Sequence, residues 1–97
     1  MGLMRGVLRS VILDGASLEN ANLSRAVLEF ASLRGASLKG ARLNGSELGG
    51  ASFQDADVIN ADFENADVTS TRLIGLRGRD EARNLDRVRN SDRAIRD

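Results

Sequence analysis

The chain has no cysteine, histidine, proline, tryptophan or tyrosine, and Lys39 is its one lysine. Without cysteine and histidine there is neither a disulfide scaffold nor a Cys/His metal site. Three phenylalanines are the only aromatics, too few for the base-stacking rows that nucleic-acid surfaces use. No apolar run reaches the length of a signal peptide or a membrane span, so no membrane contact is expected and the cytoplasm is the expected compartment. With 97 residues, one domain is expected.

What the chain does have is a period of five. Fifteen apolar residues keep this spacing: Leu3, Leu8, Leu13, Leu18, Leu23, Leu28, Leu33, Leu38, Leu43, Leu48, Phe53, Val58, Phe63, Val68 and Leu73. Alanine stands two residues before most of them, from Ala16 to Ala66, with Ser46 and Thr71 in the same slot. Neither a helix nor a flat strand explains this. Five residues advance an α-helix by about 500°, which scatters the leucines around the cylinder. On a strand an odd spacing alternates faces. The pattern works if the chain turns a corner in each unit. In Ala36-Ser37-Leu38-Lys39-Gly40, extended geometry points Ala36 and Leu38 one way and Ser37 the other, and Lys39-Gly40 makes the bend. Glycine, asparagine and aspartate at the last position of most units suit such a bend.

Units such as Ala21-Asn22-Leu23-Ser24-Arg25 and Ala61-Asp62-Phe63-Glu64-Asn65 resemble the pentapeptide-repeat family, whose pattern is A-(D/N/S)-(L/F)-x-x. Ten consecutive units from Ala21 to Ser70 keep the register, with Ser46 replacing the alanine once. The resemblance covers residues 1–75, although Met1, Gly6 and Val11 depart from alanine. It implies an all-β fold, a right-handed quadrilateral β-helix with four pentapeptides per coil and about 3.75 coils, each about 4.8 Å above the last. Residues twenty apart then stack. The expected core is Leu18, Leu23, Leu28, Leu33, Leu38, Leu43, Leu48, Phe53, Val58, Phe63, Val68 and Leu73, with roughly 1.5–3 kcal/mol from each buried leucine or phenylalanine.

The repeat stops at Gly75, and residues 76–97 form a charged tail. Residues 1–70 carry six basic and nine acidic groups, or −3, and residues 71–97 carry eight and five, or +3. Asp80 is placed to cap a short helix with Ala82, Leu85 and Val88 on one face, ending at Asn90-Ser91-Asp92. A helical C-terminal cap over the solenoid is therefore expected. Leu3 and Leu8 are already in register, so either the first coil is irregular and closes itself or the N-terminal end docks on a second copy or another protein partner.

Catalysis needs converging side chains, and the polar residues of the repeat fall on outward or corner positions of a convex prism. No catalytic, metal or cofactor residue is assigned. The expected role is non-enzymatic: a rigid module for protein interaction or assembly. Val27 and Phe30, apolar in outward slots, mark one candidate contact. A second candidate is acidic. Between Arg42 and Arg72 lie Glu47, Asp55, Asp57, Asp62, Glu64 and Asp67, with no base. Some members of the family mimic duplex DNA and bind type II topoisomerases, so the resemblance implies an alternative role as a gyrase inhibitor or protector, carried by Asp57, Asp62 and Asp67. The tail arginines are interleaved with acids, which argues against direct nucleic-acid binding.

Overall fold

In the computed structural model, which describes residues 2–97, each five-residue unit makes one straight side and one corner. In the unit Ala36–Gly40, the Ala41 N–H donates to the Leu38 carbonyl at 2.9 Å and Gly40 has φ of 67°. A positive φ at the third residue of a four-residue turn is the signature of a type II bend. Every fifth residue from Arg5 to Gly75 takes this left-handed conformation, with φ between 55° and 70°.

The corners stack because the backbone between them is saturated. Ser37 donates its N–H to Ala16 O at 2.9 Å and its carbonyl accepts from Leu18 N at 2.8 Å, and the parallel bridges run Ser17 to Ser37 to Asp57. The register of twenty holds from Gly2–Asn22 through Asp57–Arg77. Each side pairs through a single residue. Among the described residues, the one extended ladder joins β1 (Arg72–Leu73) to β2 (Ile95–Arg96) in parallel. The N–H of the first turn residue is left over, and the outward residue two positions earlier takes it. Asn22 Oδ1 accepts from Ser24 N at 3.1 Å, and Asp57, Asp62 and Asp67 accept from Ile59, Glu64 and Thr69. The family preference for Asp, Asn or Ser at this position has that physical basis: a short side chain that bonds its own backbone two residues on.

Both inward slots face the axis. Leu18, Leu23, Leu28, Leu33, Leu38, Leu43, Leu48, Phe53, Val58, Phe63, Val68 and Leu73 are all buried, as are the alanines from Ala21 to Ala66. Phe53 and Phe63 meet edge to face, with centroids 6.1 Å apart and planes at 71°. Ser46 and Thr71 fit the narrow alanine slot because their hydroxyls donate to the Leu43 and Leu48 carbonyls, each at 2.7 Å.

The tail differs from expectation. No single helix is capped by Asp80. Residues 76–97 lay one more coil on the prism, with three short 3-10 turns at Arg79–Glu81, Leu85–Arg87 and Ser91–Arg93. Bridges join Asp57 to Arg77, Asp62 to Arg83 and Asp67 to Arg89, so the period has changed from five to six. Gly78, Asn84 and Asn90 supply the left-handed residues, with φ of 74°, 61° and 62°. They stand where the leucine slot used to be, so the inward stripe ends. Leu76, Ala82, Val88 and Ala94 occupy the small-residue slot and pack on the core from above. Ala82 and Val88 do face inward together, but as successive sides of a coil and not as one helical face.

Side chains at the corners lean toward the following coil. The Phe30 ring lies over Gly50, where an added Cβ would sit 2.6 Å from its Cδ1. Arg25 lies over Gly45 and Ile59 over Gly78. This separates glycines that serve only the dihedral from those that also make room. Gly35 has open space around it, whereas a Cβ on Gly78 would meet Ile59 Cγ1 and approach its backbone N to 3.1 Å. Asparagine tolerates the left-handed region, so Gly35→Asn should cost less than about 1 kcal/mol. Gly78→Asn should cost about 1–3 kcal/mol by overpacking, although asparagine serves at the equivalent Asn84 and Asn90. Denaturant midpoints of the two variants check this; equal losses would mean that the dihedral alone matters.

Candidate functional site: the outward faces of the prism

The outward residue of each side repeats every twenty positions, so four columns cover the flanks. One reads Asn22, Arg42, Asp62, Arg83; the next Val7, Val27, Glu47, Asp67, Arg89; the third Ile12, Ser32, Ser52, Arg72; the fourth Ser17, Ser37, Asp57, Arg77. Asp57, Asp62 and Asp67 therefore lie on three successive sides and are not brought together. Among the described residues no group of acids is placed to hold a metal ion.

Each of the three acids has a structural task. Asp57 is only 9% exposed; it accepts the Ile59 N–H and stands 3.7 Å from Lys39 Nζ. Asp62 accepts from Asn84 Nδ2 at 2.9 Å and Asp67 from Asn90 Nδ2 at 3.0 Å. These contacts tie the left-handed asparagines of the last coil to the coil below. Arg77, Arg83 and Arg89 stand directly above the three acids in the ladder. The basic last coil thus follows directly on the acidic sides in the stack, and the charges of Arg83 and Arg89 act on Asp62 and Asp67. Glu47 and Asp55 stay exposed.

Partial burial pushes the Asp62 carboxyl upward, but the Asn84 amide, the Glu64 N–H, the Asn44 side chain and Arg83 outweigh it and hold the group below its ordinary value of 3.8. Asp67 is held low chiefly by Asn90, against burial and helped by Thr69 and Arg89. A carboxylate with a depressed folded-state pKa contributes stability above its unfolded value and loses it as pH falls through the folded one. Acidification below about 3.8 should therefore loosen the last coil first. Amide exchange at Arg83 and Arg89, whose N–H groups bond to Ala61 and Ala66, should accelerate before exchange at Leu23 or Leu43. Simultaneous loss of protection would show that the solenoid melts as one unit.

The apolar candidates fall together. Val27 sits mid-side and Phe30 on the adjoining corner, with the Phe30 side chain 65% exposed. Val7 stacks beside Val27 in the same column and is 72% exposed. Ile12, on the next side, is 75% exposed, and Met4, on the opposite corner, 56%. Sequence reasoning singles out Val27 and Phe30 and misses Val7 and Met4, because the first units depart from the alanine pattern. The signal is nevertheless there: Val7 occupies the same outward slot as Val27. Among the described residues, four of the five large exposed hydrophobics thus lie within the first thirty residues, on two adjoining sides and their corners. No helix in the structure is long and apolar enough to cross a membrane.

A family model for pentapeptide repeats matches residues 7–40 and 31–69. No curated protein matches the chain in sequence. Among solved structures, the pentapeptide repeat protein Rfr23 from the cyanobacterium Cyanothece 51142 is 26% identical with a TM-score of 0.54, covering 94% of this chain and 64% of its own. HetL, a pentapeptide repeat protein involved in heterocyst differentiation regulation from Nostoc sp. strain PCC 7120, is 28% identical with a TM-score of 0.44, covering 97% and 51%. A pentapeptide repeat protein from the Arabidopsis thaliana thylakoid lumen is 33% identical with a TM-score of 0.39, covering 71% and 55%. The chain spans between half and two thirds of the length of these proteins. The family model covers more than half of the chain and agrees with the five-residue sides, left-handed corners and twenty-residue register described above: the chain belongs to the pentapeptide repeat family.

Proposed function

We propose that the chain acts as a non-enzymatic, rigid module for protein interaction or assembly in the cytoplasm, built as a right-handed quadrilateral β-helix of about 3.75 pentapeptide coils closed by the six-residue coil. The observation that carries this reading is the grouping of Val7, Val27, Phe30, Ile12 and Met4 on adjoining outward positions. Large apolar side chains singly exposed need no explanation, whereas a contiguous group marks a contact. A β-helix suits the task because its flanks are held by backbone ladders and lose little freedom on binding. The partners are a protein of unassigned identity and a second copy through an open end of the solenoid. No cofactor is assigned.

Gyrase inhibition by DNA mimicry ranks second. Duplex DNA carries one charge per about 1.7 Å, so a mimic needs a continuous acidic surface. Here Asp57, Asp62 and Asp67 bond their own backbone and lie under arginines. Glu47 and Asp55 carry what acidic exposure such a surface would use.

Phe30→Asp should lower retention of partner proteins from lysate of the source cells at least tenfold while shifting stability by less than about 0.5 kcal/mol. Unchanged retention, or equal loss of both, would sink the patch. Titrated into a gyrase supercoiling assay, the chain should have no effect. Inhibition that fades when Glu47→Gln and Asp55→Asn are combined would establish mimicry and reverse the ranking.

A further inference from the structure

On one flank of the prism the outward side chains sort by kind. Val7 and Val27 stand mid-side; the corner before them holds Arg5 and Arg25, and the corner after them holds Ser10 and Phe30. Arg5, Arg25 and Phe30 all take the left-handed corner conformation, with φ of 61°, 58° and 61°, and all three are exposed. Ile12 continues the apolar surface on the next side. These side chains point away from the axis, so a further coil stacked on the first rung would lengthen the strip and not cover it. On the second coil the backbone is already engaged. Val27 donates to Gly6 O at 2.8 Å, and its carbonyl accepts from Leu8 N at 2.7 Å. Recognition on this side therefore falls to side chains.

The arginines on the edge of this strip are not used inside the molecule. Ion pairs join Arg9 to Glu29, Lys39 to Asp57, Arg79 to Asp97 and Arg87 to Glu64. Among the described residues, neither Arg5 nor Arg25 belongs to one. Beyond Val27 the same column turns acidic, with Glu47 exposed and Asp67 after it. The strip thus has a cationic edge, an apolar middle and an acidic limit on the third coil. Two coils span only about 10 Å at the usual inter-strand spacing. An anionic bilayer is broader than that and would press Glu47 against its own sign of charge. A chain segment laid along the side, across the axis, avoids it.

We infer that this strip takes an extended protein segment in which an acidic residue stands two positions from a large apolar one. This rests on the interaction-module reading and names the chemistry of its partner. Arg25 and Val27 are two residues apart along one extended side, about 6.6 Å. Alternate side chains of an extended partner have the same separation and face the same way. A carboxylate seated on Arg25 or Arg5 therefore brings the next side chain of that face over Val27 or Val7. The one after it reaches toward Phe30 or Ile12. Arginine suits the carboxylate because its planar fork can bind both oxygens, and removal of the apolar side chains from water adds to the attraction.

Selection of random twelve-residue peptides displayed on phage against the intact chain tests this. Enriched sequences should carry Asp or Glu two positions from Leu, Ile, Phe, Trp or Met. A synthetic peptide of the leading sequence should bind in fluorescence anisotropy, and more weakly as salt rises. Arg5→Glu combined with Arg25→Glu should weaken that peptide at least tenfold. The same peptide with its acids replaced by lysine should then bind the double variant better than the acidic one does, a rescue that an unfolded chain cannot give. Arg96→Glu, on the last coil, should leave binding intact. Absence of enrichment, enriched peptides without acids, or binding indifferent to the Arg5 and Arg25 changes would overturn the inference. So would equal sensitivity to Arg96→Glu, or binding to vesicles of equal parts phosphatidylglycerol and phosphatidylethanolamine that the double variant loses. The selection uses peptides and not lysate. Its failure beside a Phe30-dependent loss of lysate partners would remove the acidic segment and leave the interaction module standing.

Discussion

One residue in five is held in the left-handed conformation, and the rest of the structure depends on it. The corner lets an alanine and a leucine on each side face the same axis, which an uninterrupted strand of odd period cannot do. It closes a turn bond from the first residue of the next unit back to the leucine carbonyl and leaves most other backbone groups facing the coils above and below. Outward Asp, Asn and Ser then take up the leftover N–H in five described units. The consequence is a prism whose backbone is almost fully bonded although each side pairs through a single residue. Arg5, Arg25 and Phe30 adopt the same corner geometry as the glycines; ladders on both flanks hold them against the local cost of about 1–3 kcal/mol.

The same corner gives the solenoid a direction. A side chain leaving a left-handed corner lies over the next coil, so the residue it covers must be small or must move aside. Gly45 and Gly50 sit under Arg25 and Phe30 for this reason. Gly78 is glycine where Asn84 and Asn90 suffice, because Ile59 occupies the space a Cβ would need. Ending the stack requires the inward stripe to stop. Here a sixth residue enters each unit, the left-handed residue moves into the leucine slot, and charged 3-10 turns face outward along the axis.

Closure by that coil also rearranges the electrostatics. Asp57, Asp62 and Asp67, which have no base among them in sequence, are spread over three sides, engaged with backbone and asparagine donors, and followed in the ladder by Arg77, Arg83 and Arg89. Their local order in the chain suggests a field; their place in the fold makes them joints between coils. Apolar exposure on the flanks centres on Val7, Ile12 and Phe30.

The pentapeptide register was legible from Leu3 to Leu73 because an inward leucine, a small residue before it and a bend after it are each local requirements of one unit. The core list needed nothing more than that period. The tail carried an equally regular signal, with Arg77, Arg83 and Arg89, then Gly78, Asn84 and Asn90, then Asp80, Asp86 and Asp92, all six apart. Its near-helical apolar spacing suits an isolated helix just as well. Only the coil beneath it, offering bridge partners at Asp57, Asp62 and Asp67, makes a further turn of the prism the lower-energy choice. The sequence by itself determined the unit, its inward and outward slots and the repeat; the tertiary structure decided which outward side chains became neighbours. Side chains twenty residues apart meet solely because successive coils stack, and no local rule of a five-residue unit encodes that distance.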